Sequence, residues 1–153
     1  MHYWLFKTEP DVFGIDDLAA APGQTARWDE IRNFQARNFL RDRVRPGDQV
    51  LIYHSSCRQV GVAGIAEVVS EPYADPSQFD PDHPLFDTKA APGAPRWYCV
   101  DVRLSQRFAR VLPLKALKQV PELSEMVLLR QGRLSVQPVR AEEWHCIQGL
   151  VAS

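Results

Sequence analysis

The sequence predicts an α+β fold, in which helices pack around a mixed or antiparallel, strongly bent sheet. Short aromatic or alternating segments typical of strands occur near the N-terminus, in the middle and late in the chain, and helical patterns lie between them. The second of the two mid-chain strands contains two glycines, which indicate bends or bulges. The 153 residues, 45% of them hydrophobic, are enough for one core, and we expect a single domain over residues 1–153.

The N-terminal third contains one strand and two helical segments. The aromatic segment His2–Lys7 predicts a strand that stops at Pro10, because proline cannot donate to a ladder. Residues 16–19 predict a brief helical turn. Apolar residues at helical spacing predict a helix over residues 33–44, with Asn33 as its N-cap and Pro46 just beyond its end.

Two strands and a long loop occupy the middle of the chain. Gln49–His54 and Gln59–Val69 are strand candidates, and Gly61 and Gly64 lie in the second of them. Residues 70–96 are acidic and contain six prolines, which predicts a loop. A loop of that length is usually functional or mobile.

The last third alternates between strands and helices. Trp97–Leu104 alternates as a half-buried strand does, and Arg133–Val139 includes a short extended piece. Leu114–Val120 and Leu123–Arg130 have helical patterns, and Ala141–Val151 predicts a closing amphipathic helix.

Charge is distributed unevenly along a chain that is nearly neutral. The 19 acids and 18 bases give a net charge of −1, yet residues 27–45 hold six arginines and three acids. Residues 67–101 hold seven acids and two bases, and residues 103–140 hold eight bases and two acids. A basic face that steers a polyanion would produce this distribution, and an ordinary solvated surface would produce it equally well.

The sequence points to a soluble protein of a reducing compartment. Cys57, Cys99 and Cys146 are widely spaced and form no CxxC motif, which argues against a disulfide framework and a thiolate zinc site. His54 and Cys57 form one possible ligand pair without a second, so we expect no metal. Apolar runs are far too short to span a bilayer, and the N-terminus lacks the order of a signal peptide. We therefore expect no membrane contact and a cytoplasmic location. No pattern indicates an oligomeric state.

Catalytic motifs are missing from the sequence. It contains no GxSxG, HExxH, P-loop or GxGxxG pattern. His54 precedes Ser55, but neighbouring residues on a strand point to opposite faces, so the histidine is poorly placed to activate that hydroxyl. We expect no catalytic residue and no cofactor.

Aromatic and hydrogen-bonding residues cluster at the ends of the predicted segments. Such a set contains what a nucleobase pocket needs: flat side chains for stacking, amides and a carboxylate for ring edges, and cations for phosphate. The same residues would also occur if the aromatics filled the core and the polar groups capped helices and turns. The set comprises Trp4, Lys7, Thr8, Glu9, Trp28, Arg32, Asn33, Gln35, Arg37, Tyr53, His54, Ser55, Arg133, Ser135 and Gln137.

Motifs along nearly the whole chain resemble those of the EVE domain family, which includes many small bacterial proteins. They are YWLFKTEP at Tyr3–Pro10, W-x-x-I-R-N-F-Q-A-R-N at Trp28–Asn38, YHS at Tyr53–Ser55, YADPSQFDP at Tyr73–Pro81 and GRLSVQPV at Gly132–Val139. The resemblance implies a PUA-like fold, a curved, barrel-like mixed sheet with flanking helices. It also implies a non-catalytic reader of modified bases, with modified cytosine in DNA favoured, in a bacterial cytoplasm.

Carried over to matching positions, the resemblance implies the location of the pocket. Its base-binding residues would be Trp4, Lys7, Thr8, Glu9, Trp28, Asn33, Gln35, Tyr53, His54, Ser55, Ser135 and Gln137, and its phosphate-binding residues would be Arg32, Arg37 and Arg133. In this hypothesis Trp28 is the stacking wall, and Glu9, Asn33 or Ser55 reads the edge of the base. Two positions depart from the family pattern, since Thr8 replaces a frequent serine and Glu30-Ile31 replaces a frequent Gly-Val.

Two alternatives belong to other functional classes. The first is an RNA-binding PUA-like module that acts on tRNA or rRNA. The second is an enzyme that acts on a nucleotide and uses His54 or Glu9 as a base.

Overall fold

A seven-stranded mixed sheet with six helices around it forms the protein, as seen in a computed structural model that describes residues 1–152. The strands are β1 (Tyr3–Thr8), β2 (Thr25–Trp28), β3 (Gln49–His54), β4 (Gly61–Val68), β5 (Tyr73–Ala74), β6 (Tyr98–Pro113) and β7 (Val136–Val139). The helices are α1 (Pro10–Phe13), α2 (Ile15–Ala20), α3 (Phe34–Asp42), α4 (Leu114–Leu117), α5 (Val127–Arg130) and α6 (Ala141–Ala152). The α+β prediction is confirmed.

The order of the strands brings the two ends of the chain together. The sheet runs β2-β6-β4-β3-β1-β7, and β5 pairs with β6. Strands β1 and β3 are parallel, and the other pairs are antiparallel. Because β1 and β3 run in the same direction, their carboxyl ends lie at one edge, where Thr8 is opposite His54. Strand β7 runs the other way, so the loop before it reaches the same edge.

Bulges and close strand contacts bend the sheet. The β4–β6 pairing shifts register between Val62 and Gly64, and again between Ile65 and Ala66. A side chain at Gly64 would place its Cβ 2.4 Å from the Gln106 carbonyl oxygen, so only glycine allows this approach. The glycine-marked bends expected from the sequence are therefore present.

Alternation along the strands gives each face of the sheet its own apolar cluster. Phe6 and Ile52 are paired positions on β1 and β3 and pack in one cluster, while Leu5 and Leu51 are paired and pack in the other. Burying an aliphatic side chain of this size stabilises the fold by about 1.5–3 kcal/mol. Trp28 belongs to the first cluster, so a site that uses its indole must lie on that side of the sheet.

Several element predictions are confirmed, and others need correction. The predicted strands at the N-terminus and at residues 49–54, the helix capped by Asn33 and the closing helix are present. Strand β2 was not predicted, and β6 continues nine residues beyond the predicted Leu104. The predicted helix over residues 123–130 is a 3-10 turn (Pro121–Leu123) followed by the separate α5, and α4 ends at Leu117, three residues early.

Candidate functional site

An open cleft of about 670 Å³ lies at the edge of the sheet where β1 and β3 end. The Ser55 N–H donates to the Thr8 carbonyl at 2.9 Å, and the Lys7 N–H donates to the Ser135 carbonyl at 2.9 Å. These bonds join three distant segments around the cleft. Its lining consists of Lys7, Thr8, Glu9, Val12, Phe13, Arg27, Trp28, Asp29, Glu30, Ile31, Arg32, Ser55, Ser56, Gly132, Arg133 and Ser135.

Trp28 lines the cleft beside a second aromatic residue, Phe13. Its indole packs at a tilt against Phe6, with 5.8 Å between ring centroids, and edge-on against Phe13 at 6.1 Å. Only 5% of the residue is exposed. The two neighbouring rings hold the indole in one orientation, which preorganises it for contact with a flat ligand.

Small polar groups line the other sides of the cleft. The Thr8 hydroxyl donates to the Phe13 carbonyl at 2.5 Å, which fixes the turn between β1 and α1. The Glu9 side chain is exposed at the rim, while Ser55 and Ser135 are half-buried. Carboxylate and hydroxyl oxygens of this kind can accept hydrogen bonds from the edge of a base.

Both cationic and acidic side chains line the cleft, and the cations differ in their solvent exposure and in their contacts. Arg133 is exposed and makes no ion pair among the residues described. Arg27 contacts the Tyr73 hydroxyl at 3.2 Å through its Nε. Lys7 lies 5.3 Å from the Tyr53 ring centroid and donates to the Gly132 carbonyl, and burial lowers the pKa of its amine. Of these three, Arg133 is the cation best placed for a phosphate.

Asp29 is the carboxylate whose surroundings most disfavour its charge. Burial raises the pKa of Asp29, and the negative charges of Asp75 and Glu30 raise it further, against a smaller opposing effect of Arg27. A half-buried acid beside two other acids repels anions from this side of the cleft.

Arg32 lines the cleft, but its guanidinium is committed to the loop beyond it. Nη1 contacts the Asp75 carboxylate at 3.3 Å, and Nη2 donates to the Ser77 hydroxyl at 2.8 Å and to the Leu85 carbonyl at 3.1 Å. Burial opposes the charge of Asp75, yet hydrogen bonds from Ser77 and Glu30, together with Arg32, hold the pKa of Asp75 below its usual value. Arg32 therefore fastens this loop in the structure, and its contact with phosphate stays a prediction.

Trp4 lies in the core instead of the cleft. It is 1% exposed, and its indole N–H donates to the Asp48 carboxylate at 2.9 Å. The same carboxylate accepts backbone N–H groups from His2 and Arg45, so it ties the start of β1 to the turn before β3. Trp4 lies on the same face of β1 as Phe6 and Thr8, but it is four residues before Thr8, about 13 Å along the strand from the cleft.

Tyr53 and His54 are also buried beside the cleft without lining it. Tyr53 belongs to the second apolar cluster, and burial raises its pKa to about 12. The Nε2 atom of His54 accepts the Ile15 N–H at 3.1 Å. That bond occupies the nitrogen that a general base would use, and the adjacent Ser55 hydroxyl is 3.5 Å from the Thr8 carbonyl instead.

Four further predicted site residues lie outside the cleft. Asn33 caps α3 through the Ala36 N–H at 2.9 Å, and Gln35 is exposed on that helix. Gln137 is fully buried and donates to the Leu134 carbonyl at 2.7 Å, because β7 is covered on both faces here and the neighbouring Val136 is buried as well. Arg37 is one helical turn beyond Asn33 and donates to the Arg96 carbonyl at 2.7 Å.

The structure adds cleft residues that the sequence did not single out. Asp29 and Ile31 are neighbours of Trp28, and Gly132 precedes Arg133, so adjacency to predicted residues could have found them. Val12 and Phe13 reach the cleft because α1 folds back under the end of β1, and no sequence pattern indicates this. Within residues 1–152, no three histidine, cysteine or acidic side chains lie close enough to hold a metal ion, and no helix is both long and apolar enough to cross a bilayer.

The bent mixed sheet, the flanking helices and the cleft at the sheet edge define a small domain of PUA-like fold. A YTH domain of Zygosaccharomyces rouxii MRB1 protein, solved with N6-methyladenosine RNA, superposes with a TM-score of 0.56 at 18% identity and shows the same fold. Residues 2–150 match the family model described as the EVE domain. The chain belongs to the EVE domain family.

Relatives in animals extend this likeness over most of the chain. Thymocyte nuclear protein 1 of Danio rerio is 39% identical over 164 residues, which cover 96% of this chain and 71% of the relative. A crystal structure of the human THYN1 protein in complex with 5-methylcytosine-containing DNA is 37% identical and superposes with a TM-score of 0.95. That match covers 100% of this chain and 99% of the human one.

Proposed function

We propose that this chain is a non-catalytic nucleic-acid-binding module that reads a modified base in the Trp28 cleft, with modified cytosine in DNA as the favoured ligand. The observation that carries the proposal is the cleft itself: an indole, edge-binding oxygens and an unpaired arginine meet in about 670 Å³ of open space. The human relative bound to 5-methylcytosine-containing DNA supports the choice of ligand.

Stacking and phosphate contacts must act together in this mechanism. Stacking on Trp28 supplies about 1–3 kcal/mol, and extruding a paired base costs a few kcal/mol. The balance for a duplex is therefore near zero without phosphate contacts. Arg133 is exposed at the rim and supplies one such contact, so affinity falls as the salt concentration rises.

Discrimination of a methyl group is modest. Burying one methyl contributes about 0.8 kcal/mol, which corresponds to roughly fourfold in affinity. A hydroxyl or amine that meets a dedicated polar partner is discriminated more strongly. The exposed Glu9 carboxylate and the Ser55 hydroxyl are the acceptors that we assign to the base edge.

The decisive experiment compares matched oligonucleotides by fluorescence anisotropy at fixed salt. Short single-stranded DNAs carry one central cytosine, 5-methylcytosine or 5-hydroxymethylcytosine, and the RNA counterparts are measured beside them. We expect tighter binding of a modified DNA than of plain cytosine. Tighter binding of the RNA set would favour the RNA-binding alternative, and equal affinity for every base would reject the reader hypothesis.

Two variants with matched controls locate the site. Trp28→Leu should weaken binding of the preferred oligonucleotide about fivefold or more, as expected for a lost stacking partner. Trp144→Leu removes a buried indole from the second apolar cluster and serves as its control. Arg133→Gln should lower the salt dependence by about one phosphate contact, whereas Arg110→Gln, at another exposed arginine on β6, should leave it unchanged.

The proposal that the module is non-catalytic rests on the hydrogen bond that His54 Nε2 accepts from the Ile15 N–H. Incubation with a panel of nucleotides and modified nucleosides should release no product. Product formation that His54→Ala abolishes would favour the enzyme alternative. We also place the module in the bacterial cytoplasm that the family resemblance implies, and the free thiols of Cys57, Cys99 and Cys146 support a reducing compartment.

A further inference from the structure

Phe34 presents an aromatic ring to solvent at the start of α3. Half of its surface is exposed, although it is a large apolar residue in the first helical position after the Asn33 cap. The ring stacks on Trp97, with 4.9 Å between centroids and 25° between planes. The stack holds the phenyl ring in a fixed orientation while leaving much of it open to solvent.

Guanidinium groups surround this stack. The ζ carbon of Arg37 is 5.0 Å from the Phe34 centroid, and that of Arg96 is 5.6 Å away. Arg96 pairs with Asp87 at 3.1 Å. Arg37 donates only to uncharged groups and makes no ion pair among the residues described. We call Phe34, Trp97, Arg37 and Arg96 the Phe34 platform.

Positive charge is concentrated on this side of α3. Burial lowers the pKa of the Arg37 guanidinium, and the nearby charges of Arg41 and Arg96 lower it further, against an opposing effect of Asp42. The cation remains charged at neutral pH, so its surroundings leave an unneutralised positive charge beside an exposed ring. An aromatic face beside a free cation is the combination that single-stranded nucleic acids bind.

The platform adjoins the Trp28 cleft through Arg32. That residue lines the cleft, and its guanidinium ζ carbon is 5.2 Å from the centroid of Trp97. Phe34 lies on the same indole. A strand whose modified base occupies the cleft can therefore reach the platform with a neighbouring nucleotide.

Phe34 is not needed to anchor Trp97 in the fold. The Trp97 indole N–H donates to the Asp87 carboxylate at 2.8 Å, and its backbone N–H donates to the Gln78 side chain at 3.0 Å. Those bonds fix the end of the acidic loop independently of Phe34. The exposed half of Phe34 is thus left available for a ligand.

We propose that the Phe34 platform stacks an unpaired base that flanks the modified base, with Arg37 on the phosphate between the two. The choice of a flanking base as occupant rests on the function proposed above for the Trp28 cleft. The platform itself rests on the exposed, oriented ring, the cation without an acidic partner and the continuity with the cleft. One bound strand would then make two stacking contacts, one at each site.

The test uses two single-stranded DNAs, each with one central 5-methylcytosine, that differ only at the flanking positions. One carries normal bases there, and the other carries abasic sites. Phe34→Leu should weaken binding of the normal oligonucleotide about fivefold or more and leave the abasic one unchanged. Phe34→Trp should retain the wild-type affinity for the normal oligonucleotide. Arg37→Gln should lower the salt dependence by about one phosphate, unlike the control Arg110→Gln.

The outcomes separate this proposal from the reader function. Equal affinities of Phe34→Leu and wild type for the normal oligonucleotide would overturn the platform, as would an equal loss on both oligonucleotides. Thermal denaturation verifies that each variant is folded at the assay temperature. If cytosine and 5-methylcytosine bind equally but the loss in Phe34→Leu still requires a flanking base, the reader function fails and the platform stands.

Discussion

The Nε2 atom of His54 accepts a hydrogen bond from the backbone N–H of Ile15 across 3.1 Å, and this bond joins the end of β3 to the start of α2. Only a neutral imidazole nitrogen can accept such a bond. Burial lowers the pKa of His54 from its usual 6.5, against smaller opposing effects of Asp16 and Asp17. The bond next to the cleft is therefore retained at neutral pH.

Acidification should destabilise the fold through His54. The unfolded chain takes up the proton near pH 6.5, while the folded protein takes it up only at lower pH, so the unfolded state binds more protons between these values. The free energy of unfolding should fall as the pH drops below about 6.5. Urea denaturation across pH 5 to 8 measures this.

His54→Gln is the informative variant for that pH dependence. The glutamine carbonyl oxygen can accept the Ile15 N–H but does not titrate, so this variant should lose part of the decline in stability between pH 6.5 and 5. If the pH profiles of the variant and the wild type run parallel, His54 is not the source of the decline.

Trp4→Phe should lower stability and leave ligand binding unchanged. The substitution removes the indole N–H from the buried Asp48 carboxylate, which retains its bonds from His2 and Arg45. A buried acceptor that loses one donor costs about 1–3 kcal/mol of unfolding free energy. Chemical denaturation measures the loss. A drop in affinity for the 5-methylcytosine oligonucleotide at a temperature where the variant is folded would return Trp4 to the site.

Local sequence signals were sufficient for much of the fold. The alternation in residues 49–54 and the Asn33 cap each involve neighbours in the chain, and the structure confirms both. Strand β2 was missed because its four residues have no flanking pattern and are held by pairing with β6, more than seventy residues away. The split of the helix predicted over residues 123–130 likewise depends on packing against distant elements.

The site was harder to predict than the fold because a residue's distance along its strand from the cleft depends on how the strands are arranged in space. Lys7 and Ser135 line the cleft, whereas Trp4 and Gln137 lie further along their strands and are buried in the interior. The sequence identified these segments without showing which of their residues reach the cleft and which lie in the core. Arg32 posed a different problem, since its partner Asp75 is 43 residues away and nothing local reveals the pair.

Arg32→Gln should loosen the acidic loop. The Asp75 carboxylate is fully buried and the Arg32 side chain is only 19% exposed, so removing the cation leaves a buried charge without its partner. Breaking such a pair costs about 3–5 kcal/mol of stability. Arg32→Lys should recover only part of the loss, because an ammonium cannot reproduce the planar contacts of a guanidinium. Limited proteolysis should cut between residues 70 and 96 sooner in both variants, and unchanged cleavage would contradict this role.

Asp29→Asn should raise the affinity of the cleft for nucleic acid at pH 7. Burial and the charges of Asp75 and Glu30 raise the pKa of Asp29, so its ionised form is disfavoured in the folded protein. When the carboxyl is ionised, it places a negative charge beside the incoming phosphates. Neutralising one partly exposed charge is worth roughly 0.2–1 kcal/mol, or up to about fivefold in affinity. Wild-type affinity should also rise as the pH falls toward the raised pKa of Asp29, and the variant should lose that part of the pH dependence. Glu122→Gln makes the same charge change at an exposed position outside the cleft and should alter affinity little. Weaker binding of 5-methylcytosine by Asp29→Asn would instead show that the carboxylate accepts a hydrogen bond from the base.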